Sequence, residues 1–129
     1  MSPDQARAVQ AAVLDWVRAE PRIVALALIG SWARGTATPS SDIDLMLLAD
    51  GHPESDIEWA VYGFELVEER VEIWGVARSR RLFLSPPAEV ELTFAGPSWA
   101  ERALDAGTRQ VVEGGLVALH DPRGLLAGL

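Results

Sequence analysis

Apolar and polar positions along the first part of the chain recur with the period of an α-helix. Ser2 can cap this helix, Pro3 suits its first turn, and Gln5 stands three residues after the cap. The helix is expected to end near Glu20, because a proline follows it. The pattern predicts an amphipathic helix whose apolar stripe is Ala6, Val9, Val13, Trp16 and Val17.

Two apolar runs follow this helix, and both predict strands buried in a sheet. The run Ile23–Ile29 is unbroken and too short for an ordinary helix, which is typical of a central strand. Residues 30–35 predict a turn into a short helix, and a polar loop then leads to a second strand over residues 42–49. The chain therefore places two buried strands close together in sequence.

The second half of the chain mixes helical and strand patterns. A capping pattern at Ser55 and an apolar stripe predict a helix over residues 57–69, although Gly63 weakens its middle. Two strand-forming stretches predict one long bent strand or two, and a cleanly alternating strand follows a proline turn. The three strand-forming stretches are residues 71–77, 80–84 and 89–94. The shorter elements predicted after them are a helix start at 98, a helix at 108–113, a strand at 116–119 and a last helical turn from 121.

These elements predict an α/β fold of the α+β kind, in which helices flank a small mixed sheet. With 129 residues, of which 49% are hydrophobic and 23% charged, the chain is expected to form one domain over residues 1–129. No apolar run reaches the length of a membrane span, and the first helix lacks the pattern of a signal peptide. A cytoplasmic protein is therefore expected.

Composition narrows the chemistry that the chain can perform. The net charge of −8 argues against a protein that binds the phosphate backbone of DNA or RNA. Because cysteine is absent, disulfides, thiolate metal sites and a cysteine nucleophile are excluded. The two histidines, His52 and His120, lie in turn-like sequence without a serine and aspartate beside them. Carboxylates, hydroxyl groups and arginines remain as the candidate functional groups.

Asp42 and Asp44 open the second predicted strand and form the strongest candidate site. Residues i and i+2 of a strand point to the same face about 7 Å apart, so both carboxylates face one way. Two carboxylates at this distance repel each other unless a cation lies between them. Mg²⁺, which prefers oxygen ligands, is the expected cation.

A second metal ion would require a third carboxylate near this pair. Glu89 and Glu91 are the candidates, because both project from one face of an alternating strand that we expect to lie antiparallel to residues 42–49. Alternation alone does not choose between them. Glu91 is favoured because Val90 and Leu92 flank it, whereas Glu89 lies nearer the preceding turn.

The residues before the aspartates suit the binding of an anion. Gly30 ends a strand and allows an anion to approach without a Cβ, and Ser31 adds a hydroxyl donor at the start of the next helix. Arg34 is expected either to contact phosphate or to be solvated. Arg78, Arg80 and Arg81 form a basic cluster further on, for which a solvated face and a triphosphate contact are both open.

The order Gly-Ser, ten residues, then Asp-x-Asp resembles the defining motif of the minimal nucleotidyltransferases in the DNA polymerase beta-like superfamily. The resemblance is carried by Gly30, Ser31, Asp42 and Asp44, and it extends to Arg34-Gly35 and Ser41. It implies a nucleotidyltransferase fold, two Mg²⁺ ions held by Asp42, Asp44 and Glu91, and a nucleotide held by Gly30, Ser31, Arg34 and Ser41. A glutamate stands where the family more often has its third aspartate.

The activity that the resemblance implies is transfer of a nucleoside monophosphate, AMP from ATP in the first instance, to a hydroxyl group. Family members of this size resemble the antitoxin partner of a helical, HEPN-type toxin, and others resemble enzymes that adenylylate aminoglycoside-like cationic drugs. A non-catalytic module that works by protein contact is the alternative. The identity of the acceptor and the formation of homo-oligomers are left open by the sequence.

Overall fold

The computed structural model describes residues 1–74, 77–101 and 112–127. The predicted first helix is confirmed as α1, and α2 is a single turn that follows the first strand. A third short helix, α3, starts at the predicted place. The bounds are Pro3–Ala19 for α1, Ser31–Arg34 for α2 and Ser98–Glu101 for α3.

Within the described ranges, six strands form one mixed sheet in the order β3-β4-β5-β2-β1-β6. Strand β2 lies antiparallel to β1 and parallel to β5, and the other neighbouring pairs are antiparallel. This sheet confirms the predicted fold class. The strands are β1 Ile23–Ile29, β2 Ile43–Ala49, β3 Glu65–Trp74, β4 Ala77–Ser85, β5 Ala88–Ala95 and β6 Leu116–His120.

Helix α1 covers one face of the sheet and closes the larger core. The Ser2 hydroxyl accepts from the Gln5 backbone N–H at 3.1 Å, and the Gln5 side chain accepts from the Ser2 N–H at 2.9 Å, which satisfies two free donors of the first turn. The buried stripe of α1 then packs on alternate residues of the central strands, among them Leu45, Val90 and Leu92. These alternate positions leave the intervening residues of β2 and β5 to the opposite face.

The opposite face of the sheet carries a smaller apolar cluster and the predicted acids. Ala27, Met46 and Leu48 pack there with Leu126, which follows β6. The Asp121 carboxylate accepts from the backbone N–H groups of Leu125 and Leu126 at 2.8 and 3.0 Å, so the last helical turn predicted from Asp121 is a hydrogen-bonded turn that does not form a helix. The acids therefore lie on the face of the sheet opposite α1.

The helix predicted over residues 57–69 is also wrong. A single 3-10 turn, Trp59–Tyr62, ends at Gly63, whose φ of 84° is left-handed, and β3 begins at residue 65. The supposed apolar stripe does not share one buried face, because Val61 and Val67 are 71% and 67% exposed. Pairing with β4 therefore outweighs the helical spacing, in line with the β-branched residues of β3.

Strands β2 and β5 were expected to be antiparallel, but they are parallel. Between them the chain forms β3 and β4, an antiparallel pair that runs to the edge of the sheet and back, so that β5 has the same direction as β2. The helix predicted over residues 108–113 falls mostly outside the described residues. Over the ranges that the structure covers, no helix has the length and apolar character needed to cross a membrane.

Candidate active site

One row of paired residues across the sheet positions the candidate site. Ile29 at the end of β1 pairs with Asp44, Asp44 pairs with Glu91, and Glu91 pairs with Arg81. Side chains directly opposite one another on neighbouring strands project to the same face. The register of three strand pairs therefore brings Asp44, Glu91 and Arg81 together beside Gly30, which follows Ile29.

Three carboxylates meet at this row. One oxygen each of Asp42, Asp44 and Glu91 lies within 4.8 Å of the other two. Asp42 directly precedes β2, so its side chain projects from the same side as that of Asp44. The structure thus brings together the three residues predicted to bind metal, although their roles as ligands stay a prediction. Glu89 lies outside this group of three and contacts Arg81 instead.

Asp44 has a buried carboxylate oxygen. Its Oδ1 atom is buried and, among the residues that the structure describes, has no hydrogen-bond partner. Burial, followed by the negative charges of Asp42 and Glu91, raises the pKa of Asp44 to about 6. A buried carboxylate oxygen without a donor is costly, so this atom is prepared to gain a cation or a proton.

Gly30 leaves room for the Asp44 carboxylate. Its φ of 75° is left-handed, and a Cβ built on it would lie 2.9 Å from Asp44 Oδ2. A non-glycine residue would therefore be strained in its backbone and crowded by the carboxylate. The glycine of the predicted motif has a steric reason that does not depend on any ligand.

Gly30→Ala should destabilise the fold by about 2–3 kcal/mol and weaken divalent cation binding, since it adds both left-handed strain and a clash with Asp44. Gly35→Ala is the control, because Gly35 also has a positive φ, 76°, but a left-handed ψ of 22° and nothing within 4 Å of its added Cβ, whereas Gly30 combines its positive φ with a ψ of −151° that suits only glycine. That control should lose only about 1 kcal/mol and bind cations normally. Chemical denaturation and a Mn²⁺ titration measure both effects. Equal behaviour of the two variants would contradict the steric role of Gly30.

Arg81 is the residue of this site that the sequence pattern did not single out. Its Nη1 donates to Asp42 Oδ2 at 3.0 Å and to Glu89 Oε1 at 2.9 Å, and its Nη2 donates to Glu91 Oε2. Strand alternation sends Arg80 to the other face, where it forms ion pairs with Asp56 and Glu69. The basic cluster expected from the sequence is therefore divided between two faces of the sheet.

The donor set fits a divalent cation that prefers oxygen. It consists of carboxylates alone, includes the orphaned Oδ1 of Asp44, and lies beside Gly30. Two oxygens in neighbouring positions around one Mg²⁺ are about 3 Å apart and two opposite ones about 4.2 Å apart, because each Mg–O distance is close to 2.1 Å. The three carboxylate oxygens lie within 4.8 Å of one another, so their side chains would move closer together on binding a shared ion.

The remaining predicted nucleotide-binding residues lie around this cluster. The Ser31 carbonyl accepts from the Thr36 N–H at 2.9 Å, which closes the turn after α2. Arg34 is exposed and donates to the Gly114 carbonyl at 2.7 Å, so it fastens α2 to the segment before β6. The Ser41 hydroxyl accepts from the Thr38 N–H at 2.9 Å and shapes the loop that leads to Asp42. Contact of these residues with a nucleotide stays a prediction.

Comparison with known protein families gives a match. The model of a family described as the nucleotidyltransferase domain matches residues 12–94, which is more than half of the chain. The matched range runs from the middle of α1 to β5 and contains Gly30, Asp42, Asp44 and Glu91. No curated protein matches the sequence.

Proposed function

Because the chain belongs to the nucleotidyltransferase domain family, we propose that it is a magnesium-dependent enzyme that transfers a nucleoside monophosphate from a nucleoside triphosphate to a hydroxyl group. The observation that carries this proposal is the meeting of Asp42, Asp44 and Glu91 within 4.8 Å, beside the glycine turn. ATP is the proposed donor and AMP the transferred group. The acceptor oxygen forms a bond to the α-phosphorus, and the bond from this phosphorus to pyrophosphate breaks.

The residues of the chain divide this work between them. Asp42, Asp44 and Glu91 would hold two Mg²⁺ ions, and Gly30 with Ser31 would contact the phosphates. Bound Mg²⁺ would supply neutralisation of phosphate charge and a lower pKa for the attacking hydroxyl group. Glu91 would either complete the metal site or accept the proton of the acceptor hydroxyl. Catalysis then rests on positioning and on the low solvation of Asp44, which strengthens its interaction with a cation.

We propose that the acceptor hydroxyl belongs to another molecule, a protein in the first instance. The exposed edge strand supports a protein partner, because Val67 and Ile73 of β3 are 67% and 77% exposed. The resemblance to antitoxins of helical toxins supports the same choice. A cationic small-molecule acceptor, as in drug-modifying relatives, also fits the net charge of −8.

A nucleotide-binding and transfer assay tests the function. The protein is incubated with Mg²⁺ and labelled ATP, alone and with candidate protein and aminoglycoside acceptors, and binding and label transfer are measured. The Asp42→Asn plus Asp44→Asn double variant should lose the Mg²⁺-dependent part of both signals, because the cation loses two charged ligands. Nucleotide binding that needs no metal and survives the double change would contradict the enzyme and support a non-catalytic binding module.

A further inference from the structure

The Arg81 guanidinium binds carboxylates that would have to bind Mg²⁺ in the proposed reaction. Its guanidinium contacts Asp42 and Glu91, two of the three carboxylates in the cluster, and contacts Glu89 at the rim. Asp44 is the member that it does not touch, and the orphaned oxygen belongs to Asp44. Arg81 thus neutralises Asp42 and Glu91, while the buried Oδ1 of Asp44 has no hydrogen-bond partner among the described residues.

The backbone leaves Arg81 few alternatives. It lies on β4 between β3 and β5, and it pairs directly with Glu91 in the antiparallel ladder. A guanidinium does not lose its proton at any ordinary pH, and the hydrogen bond to Glu89 raises the pKa of Arg81 further. The positive charge therefore persists and can leave the carboxylates only by movement of the side chain.

We propose that Arg81 is a resident counter-cation that competes with the metal ion for Asp42 and Glu91. This inference rests on the proposed function, and it makes metal entry an exchange of one cation for another. A divalent ion binding all three carboxylates displaces the guanidinium from Asp42 and Glu91, because like charges at such short range repel strongly.

Glu89 provides the place to which Arg81 retreats. It accepts from Arg81 Nη1 at 2.9 Å, lies outside the three-carboxylate cluster, and its side chain is 40% exposed. Held there, the guanidinium keeps its other N–H groups beside the metal site, where they suit the phosphate oxygens of a nucleotide. In this proposal Arg81 is a competitor of the metal ion before exchange and a phosphate-binding residue after it.

Arg81→Met is the direct test, because methionine keeps much of the side-chain volume and removes the charge. Mn²⁺ serves as a paramagnetic probe in place of Mg²⁺, and free Mn²⁺ is measured by electron paramagnetic resonance, with and without α,β-methylene-ATP. Without nucleotide, Arg81→Met should bind Mn²⁺ about tenfold more tightly than the unmodified protein, since the competing cation is gone. With Mn²⁺ saturating, the same variant should bind the ATP analogue more weakly.

Arg80→Met is the matched control. Arg80 is adjacent on β4 and also forms ion pairs, yet its partners Asp56 and Glu69 are on the opposite face. It should leave the Mn²⁺ affinity unchanged. Arg81→Lys, a milder substitution, should give an intermediate affinity, because an ammonium group lacks the fork that spans two carboxylates.

The possible outcomes separate the two proposals. Folded Arg81→Met and Arg81→Lys that bind Mn²⁺ no more tightly than the unmodified protein would overturn the exchange and leave the metal site intact. Failure of every form to bind Mn²⁺, even with the ATP analogue present, would refute the proposed function and the exchange together. Tighter binding in Arg80→Met as well would attribute the effect to net charge and also overturn the exchange.

Discussion

Asp44→Asn is expected to lower nucleotidyl transfer by about 10³-fold, the size of loss seen when a fixed charge that stabilises a transition state is removed. Asp44 is the central residue of the row between Ile29 and Glu91, and it carries the buried oxygen without a partner. An amide in its place keeps the shape but is a far weaker ligand for Mg²⁺. Release of labelled pyrophosphate at saturating ATP and Mg²⁺ measures the loss.

The same substitution should stabilise the metal-free protein in a manner that depends on pH. The pKa of Asp44 is raised from 3.8 to about 6, so its charged form is disfavoured in the folded state. The folded protein therefore loses stability as the pH rises from about 4 through about 6, because the folded state binds more protons than the unfolded state in this window. Asparagine has no such loss, and the variant should be about 1–2 kcal/mol more stable above pH 7 after allowance for solvent screening.

Well below pH 3.8 the two proteins should be about equally stable, since Asp44 is then protonated in both folded and unfolded states. Urea denaturation at about pH 3 and at about pH 8 in the presence of a chelator gives the comparison. Asp50→Asn is the control, because Asp50 lies just beyond the far end of β2, is exposed, and has an ion pair with Arg123 at 3.3 Å. A stability gain in Asp50→Asn equal to that in Asp44→Asn would contradict a local origin.

The parts of the fold that the sequence predicted well are those in which local pattern and burial agree. Strand β1 is buried along almost its whole length, so an unbroken apolar run had one interpretation, and α1 had both a capping box and an apolar stripe. Residues 57–69 had a helical spacing that strand pairing overrode, because residues from 65 onwards pair with β4, the next strand along the chain. Parallel pairing of β2 with β5 likewise depends on where the intervening hairpin is placed, which local pattern does not determine.

The same division holds for the candidate site. Asp42 and Asp44 could be named from alternation and from the glycine turn before them, whereas Glu91 was preferred to Glu89 because of its apolar neighbours. Alternation separates Arg81 from Arg78 and Arg80, which share the other face of the strand. It does not identify the acids that Arg81 contacts, since these depend on the register between β4 and β5.

Glu91→Gln should reduce transfer by about 10²- to 10³-fold, whereas Glu89→Gln should retain most of the activity. Glu91 pairs directly with Asp44 and belongs to the three-carboxylate cluster, so its neutral form removes a metal ligand and the proposed base. Glu89 lies two residues before Glu91 on β5, and it contacts Arg81 outside the three-carboxylate cluster. Parallel rate measurements on the two variants, with circular dichroism to establish that both are folded, compare identical chemical changes two residues apart.

The pair of variants also tests the register on which the site depends. A shift of β5 by two residues relative to β2 would put Glu89 opposite Asp44 and preserve every buried contact pattern, because side chains alternate with a period of two. Loss of activity in Glu89→Gln with survival in Glu91→Gln would therefore indicate that shifted register. Equal and large losses in both would contradict the choice of Glu91 as the third ligand, because a glutamine at position 89 keeps an oxygen that can accept from Arg81. Only a large loss confined to Glu91→Gln agrees with both the observed pairing and the proposed ligand set.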